Sequence, residues 1–290
     1  MGTRPAGAPG IIRRVLFLSL VLVALVISNG CMDPMIIRVA DRKEVKAPEL
    51  IGEIKGADII FIGELHDNRL HHRAQLELIK ALREDGTDIA IGVEMFRTEN
   101  QDVLDRWVRG EMSEDEFRPV YEKEWGIPWE QYKDIFVYAR GNRVPMVALN
   151  ISRKLMFQVL TKGFSSLSTE QLAGLPPGIE CKVDETYEKF MKDALEEHDM
   201  EGVTFKSFCE AQMVWDNVMA HNAIEYLKAR PGKKMAVLAG GGHSWKRGIP
   251  AQVSRLSGYT SVVLLPEPES LDLDEVGPDD ADYIIAGRLF

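Results

Sequence analysis

Asp58-Ile59-Ile60-Phe61-Ile62-Gly63-Glu64-Leu65-His66-Asp67-Asn68 is the stretch on which the fold turns. Its first half is a short apolar run, the pattern of a strand buried on both faces. Its second half is a polar turn, followed by Leu76, Ile79 and Leu82 at helical spacing within a helix expected over 71–84. The turn carries Glu64, His66 and Asp67, and His71 and His72 open the helix, so three of the six histidines fall within seven residues. In open α/β sheets ligands bind beyond the carboxyl ends of the strands. This turn is therefore a candidate site.

The same reading repeats along the chain. Strands are expected at Asp58–Gly63, Asp88–Met95, Val144–Asn150, Lys234–Gly240 and Thr260–Pro266, with an entry strand within Ile36–Val45 and a last one at Tyr283–Phe290. Helical segments are expected at 47–54, 98–109, 113–124, 129–141, 151–163, 184–198, 204–229 and 248–257. Alternation of buried strands with helices implies an α/β fold, with a central, mostly parallel sheet flanked by helices. Two stretches, 98–141 and 151–230, hold several helices between consecutive strands. They read as helical insertions that cap the carboxyl edge of the strands. The acidic stretch Asp272-Leu273-Asp274-Glu275 reads as a solvated loop.

The first thirty residues read as a targeting segment outside the fold. Arg4, Arg13 and Arg14 precede an apolar run from Val15 to Ile27 that is shorter than the roughly 20 residues of a membrane span. The run ends in Ser28-Asn29-Gly30-Cys31, which resembles a lipoprotein signal with Cys31 as the acylated first residue, although Ser28 stands where that signal prefers Leu. Residues 31–290 then form one α/β domain, anchored to a membrane through Cys31 in the cell envelope, facing the periplasm or in the outer membrane of a Gram-negative host. Removing the three arginines shifts the net charge from −10 to −13, which argues against nucleic acid as a partner. Beyond Cys31 only Cys181 and Cys209 remain. Export permits a disulfide between them, and the lack of a C-x-x-C pattern argues against thiolate zinc.

Four strands end in polar residues: Glu64 and His66, Glu94, Asn150, and Gly240-Gly241-Gly242-His243. If the strands are parallel neighbours, these converge on one rim. Two histidines and two carboxylates suit a divalent metal held by Glu64, His66 and His243, with Glu64 or Glu94 as a general base on bound water. Taken one at a time, the carboxylates read equally as a helix cap or an arginine partner, and each histidine as scaffolding. Gln212 and Asp216 lie four apart on one helix face among apolar residues. A buried Asp216 needs a partner, and a strand-end histidine held in one tautomer would supply it; the alternative is a solvent-facing carboxylate.

Together these residues resemble the ChaN family of haem-binding uptake lipoproteins within the Tiki superfamily. The matching pieces are Gly63-Glu64-Leu65-His66-Asp67-Asn68, His71-His72-Arg73-Ala74-Gln75, Gly92-Val93-Glu94-Met95-Phe96, Ala211–Ala220, Gly240–His243 and Gly248-Ile249-Pro250, in family order over roughly 50–266. The resemblance implies a haem cofactor, a role in haem or iron uptake, and a homodimer formed around the cofactor. It puts His66, His72, Gln212, Asp216 and His243 at the cofactor. Family members use a tyrosine as haem ligand, and Tyr121, Tyr132, Tyr138, Tyr187 and Tyr226 all lie in the helical excursions. Related Tiki-type metalloproteases share paired G-x-x-H motifs, matched here by Gly63–His66 and Gly240–His243. A metal-dependent hydrolase acting on a peptide or ester is therefore the rival expectation.

Overall fold

A computed structural model describes residues 34–197, 202–267 and 276–287. The leader, Cys31, His198 and Asp272–Glu275 lie outside the described residues. Seven strands form one sheet: β1 (Met35–Arg38), β2 (Ile59–Glu64), β3 (Ile89–Arg97), β4 (Met146–Asn150), β5 (Lys234–Gly240), β6 (Ser261–Pro266) and β7 (Tyr283–Ala286). Their spatial order is β1-β7-β6-β2-β5-β3-β4. All neighbours are parallel except β1, which runs antiparallel to β7 at one edge. The α/β fold with a mostly parallel sheet is as the alternation implied.

Eleven helices are described: α1 (Ala47–Ile54), α2 (Arg69–Glu84), α3 (Gln101–Val108), α4 (Glu114–Glu124), α5 (Trp129–Gly141), α6 (Arg153–Lys162), α7 (Thr169–Ala173), α8 (Glu185–Glu197), α9 (Phe205–Lys228), α10 (Gly241–Ser244) and α11 (Ile249–Leu256). None is long and apolar enough to cross a membrane among the described residues. Short α7 and α10 have no apolar periodicity to announce them.

Strand alternation divides the sheet's side chains between two helix layers. On one face Ile60 and Ile62 of β2, Ile91 and Val93 of β3, and Ala236 and Leu238 of β5 pack with Leu50, Ile79, Leu82 and the aromatic helices α3–α5. On the other face Ile59, Phe61, Ala90, Met235, Val237 and Ala239 pack with Met219, Ala223 and Ile224 of α9 and Val253 of α11. Each fully buried Ile or Phe contributes about 1.5–3 kcal/mol. That two-sided burial is why the strands read as unbroken apolar runs.

Three local features place the site. First, β5 inserts between β2 and β3, and its register sets Gly240 directly opposite Glu64. Second, β3 pairs with β4 as Val93↔Ala148 and then as Arg97↔Asn150, so β3 carries two more residues than its partner across that interval. Such a bulge re-aims side chains, and it contains Glu94. Third, Asn68 caps α2, its side chain accepting from the Leu70 amide at 2.9 Å, which starts the helix immediately after the His66 turn.

Cys181 and Cys209 form a disulfide with Cα atoms 5.7 Å apart. It ties the segment entering α8 to the first turns of α9. Closing a loop of 28 residues is worth roughly 3–4 kcal/mol through the entropy of the unfolded chain.

Candidate functional site

Glu64 ends β2 fully buried, where a bare carboxylate would be costly. The fold supplies donors on every side. His66 Nδ1 lies 2.9 Å from Oε1, the Tyr132 hydroxyl of α5 donates to the same oxygen, and Gln75 Nε2 of α2 donates to Oε2 at 2.8 Å. Gln75 also donates to the Ile62 carbonyl at 2.9 Å, which fixes the orientation of its amide. Burial pushes the Glu64 pKa up, but the His66 hydrogen bond, the charges of His72 and His66 and the Tyr132 hydroxyl outweigh it and hold it below the usual value.

With Nδ1 given to Glu64, the His66 imidazole projects Nε2 from a side chain that is 37% exposed. Burial lowers its pKa, yet the Glu64 hydrogen bond and the charges of Glu94, Glu64 and Asp67 raise it to about 9. The ring stands edge-on to Trp125 at 5.0 Å. Its other neighbour is Gly240, where a Cβ would lie 2.9 Å from His66 Cε1 and 3.1 Å from Nε2. Glycine is needed there for close approach rather than for a turn.

A second carboxylate–histidine pair faces the first. His243, on the single turn α10 after β5, places Nδ1 2.7 Å from Asp216 Oδ1 and 3.1 Å from the Gln212 amide of α9. Asp216 is fully buried, and its other oxygen accepts from Tyr187 of α8 at 2.9 Å. Here burial prevails over the hydrogen bonds from His243 and Tyr187, and the Asp216 pKa is raised. Burial likewise lowers the His243 pKa, but Glu94 and Asp216 raise it on balance.

Glu94 joins the pairs. One oxygen accepts from the Gly240 amide at 2.8 Å, and the other lies 3.7 Å from His243 Nε2. Asn150 donates to the Glu94 carbonyl at 2.9 Å and so holds the bulge in place. The arrangement is thus two oriented imidazoles with a carboxylate between them, able to donate and accept protons or to present a nitrogen to an iron centre.

The structure brings Glu64, His66, Glu94, Asn150, Gln212, Asp216 and His243 to this edge. His72 is placed differently from a rim ligand: it is buried behind Glu64, 3.4 Å from Oε2 and packed on Tyr132 at 4.0 Å, and burial pushes its pKa down. The metal set Glu64, His66 and His243 is not assembled. Both Glu64 oxygens face Tyr132, Gln75 and His66, whereas His243 is oriented toward Asp216 and Glu94. Among the described residues no group of three or more His, Cys, Asp or Glu side chains is spaced to hold a metal ion. Sequence reasoning did not assign the anchoring roles of Tyr132 and Tyr187. Each was one tyrosine among several, and only the packing of α5 and α8 singles it out.

The model of a family described as haem-binding uptake, Tiki superfamily, ChaN, matches residues 50–253. The chain belongs to that family. Among solved structures it is similar to the ChaN of Campylobacter jejuni, described with cofacial haem binding, at a TM-score of 0.69 and 20% identity, over 88% of this chain and 96% of that one. An erythromycin esterase is also similar, at a TM-score of 0.48 and 15% identity, over 81% of this chain and 77% of that one. Among curated proteins the chain is 22% identical over 275 residues to RETICULATA-RELATED 5, a chloroplastic protein of Arabidopsis thaliana. That match covers 85% of this chain but spans only 37% of the plant protein's length.

Proposed function

We propose that the chain is a haem-binding lipoprotein of the cell envelope, anchored at Cys31, that serves haem or iron uptake. Family membership supports the cofactor, and the half-open His66 imidazole is the observation that carries it to a place. Its Nδ1 is committed to Glu64, which turns Nε2 to the rim, the orientation in which a carboxylate prepares a histidine to bind iron; with the pKa raised to about 9, iron binding there would displace the Nε2 proton. The donor set fits haem through histidine better than through tyrosine. Tyr121, Tyr132 and Tyr187 are buried, and the last two hydroxyls are held by Glu64 and Asp216. Tyr138 lies under Lys80 and Tyr226 under Arg230. Haem, if bound here, would supply an iron, and His66 would hold it beside Trp125 and Gly240. A homodimer formed around the cofactor belongs to the same reading.

Absorbance titration tests this reading. The purified chain is expected to give a saturable Soret shift at micromolar haem, with affinity falling at least tenfold in His66→Ala and little in Tyr138→Phe or Tyr226→Phe. No saturable shift in the wild-type chain would end the proposal, and loss in a tyrosine variant alone would move the ligand.

One observation favours a second reading. His66 and His243 both offer Nε2 beside Glu94, a pairing suited to general acid–base hydrolysis of a peptide or ester. Turnover of such substrates that survives a chelator and collapses in Glu94→Gln would establish it; an inert wild-type chain would remove it.

A further inference from the structure

We infer that the cleft between the carboxyl ends of α3 and α5 is a binding site for a phosphomonoester, held by Arg140 and Arg143. The cleft is a cavity of about 490 Å³ lined by Trp107, Arg109, Glu114, Val137, Arg140 and Arg143 among others. It lies where β4 begins, since Arg143 precedes Met146, whereas the paired histidines lie where β4 ends at Asn150. The two sites therefore occupy opposite edges of the sheet.

The acids around the cleft are already engaged. Glu114 accepts from Lys133 at 2.7 Å and from the Trp129 indole at 3.0 Å. Glu111 takes both forks of Arg109 at 2.7 and 2.8 Å, and Asp105 accepts from Gln101. Arg140 and Arg143 are left over. The Arg140 guanidinium lies 4.6 Å from the centroid of the Trp107 ring, which holds its plane while leaving its donors open. Neither arginine has a carboxylate within ion-pair distance among the described residues. In a chain with a net charge of −10, two guanidiniums without an acidic partner line the same cleft.

Arg143 adds an independent observation. Its φ is +51°, in the left-handed region that glycine or asparagine fills most easily. It follows Asn142, the cap of α5, and the Val144 amide bonds back to the Ala139 carbonyl, so Arg143 occupies the position where a helix ordinarily ends in glycine. Offsetting the helix dipole explains a basic residue near a helix end. It does not explain an arginine at a helix end whose backbone is disfavoured for it.

Two unpaired forks match a dianion, and a phosphomonoester carries close to two charges near neutral pH with oxygens that accept from planar guanidiniums. The volume exceeds that of bare phosphate, and the half-exposed Val137 beside Val108 gives an organic group an apolar wall.

Calorimetric titration of the purified chain with phenyl phosphate, at fixed ionic strength, tests the site. Saturable one-to-one binding is expected, weaker for inorganic phosphate and at least tenfold weaker for the monoanion benzoate. Arg143→Gly relaxes the left-handed backbone, so it should unfold no earlier than wild type yet bind phenyl phosphate at least tenfold more weakly. Arg140→Lys keeps the charge, loses the fork and should weaken binding as well, with haem titration unchanged in both. Failure of wild type to bind either phosphate, benzoate binding as tightly as phenyl phosphate, or equal affinity in wild type and Arg143→Gly would each overturn the proposal.

Discussion

The two carboxylate–histidine pairs use the same parts and differ in what burial does to them. In each, a fully buried carboxylate takes a histidine Nδ1 and a tyrosine hydroxyl, but Gln75 adds a third donor to Glu64 itself, whereas Gln212 reaches His243 rather than Asp216. Around Glu64 the donors outweigh the cost of burial and the carboxylate stays easier to ionise than in water. Around Asp216 burial wins. The histidines differ too: the His66 side chain is 37% exposed and that of His243 14%. One pair is an open, charged device at the rim; the other is a closed support behind it. Donor number, rather than residue type, decides which is which.

The largest effect should come from removing the charge while keeping the shape. Glu64→Gln can place its amide N–H₂ only against Tyr132 and His66, since Gln75 is locked by the Ile62 carbonyl, so both donors must turn acceptor at once and a protonated His66 loses its counter-charge. Its cost should be about 3–5 kcal/mol in urea unfolding. Asp216→Asn should cost about 1 kcal/mol or less, because the Tyr187 hydroxyl can rotate and His243 can change tautomer. The pH dependence of the two carboxylates has opposite signs, while both histidines have raised pKa values. The lowered Glu64 pKa gives stability present above the ordinary glutamate value and lost as pH falls through the lower folded one. The raised His66 pKa gives stability that is full below about 6.5 and lost as pH rises through about 9. The raised Asp216 pKa makes its charge a cost at neutral pH, relieved on acidification. Equal losses in the two amide variants would erase the distinction between the pairs.

Opening the disulfide should sharpen it. Cys209→Ala with Cys181→Ala removes the 28-residue loop constraint and should cost roughly 3–4 kcal/mol. The bond anchors the segment leading to α8, and α8 carries Tyr187 to Asp216. Histidine resonances in a pH titration by NMR should therefore move for His243 and stay in place for His66. A shift of His66 as large as that of His243 would show the pairs to be coupled through the fold rather than built separately.

That asymmetry also explains what the sequence could reveal. The Glu64–His66 pair is legible because both residues lie on one strand end, two positions apart, behind an unmistakable apolar run. Parallel strand ends likewise place Glu94, Asn150 and His243 on the same edge by topology alone. Asp216 could be read as buried from its apolar neighbours, but its partner depended on how α9 passes beneath α10. Nothing local marks Tyr132 or Tyr187, since each reaches its carboxylate from a helix 68 or 29 residues away. The expected metal set is not seen as a cluster among the described residues for a related reason. Spacing can bring three ligands to an edge, but side-chain hydrogen bonds decide where they point.

The smallest effect separates the pairs by their glycines. A Cβ at Gly240 would press on His66 at 2.9 Å, whereas one at Gly242 would meet the Phe190 ring tip at 2.8 Å. Both obstacles are ends of partly exposed side chains, so Gly240→Ala and Gly242→Ala should each cost about 1 kcal/mol or less in unfolding free energy. Their consequences at the site should nonetheless diverge. Displacing His66 tilts Nε2 off the rim and strains the hydrogen bond to Glu64, so Gly240→Ala should lower haem affinity and bring the His66 pKa down from about 9 toward its ordinary value. Moving Phe190 touches neither histidine's hydrogen bonds, and Gly242→Ala should leave both readings near wild type. Similar haem affinities and His66 titrations in the two variants would mean that the close approach of His66 to Gly240 has no part in setting the open pair.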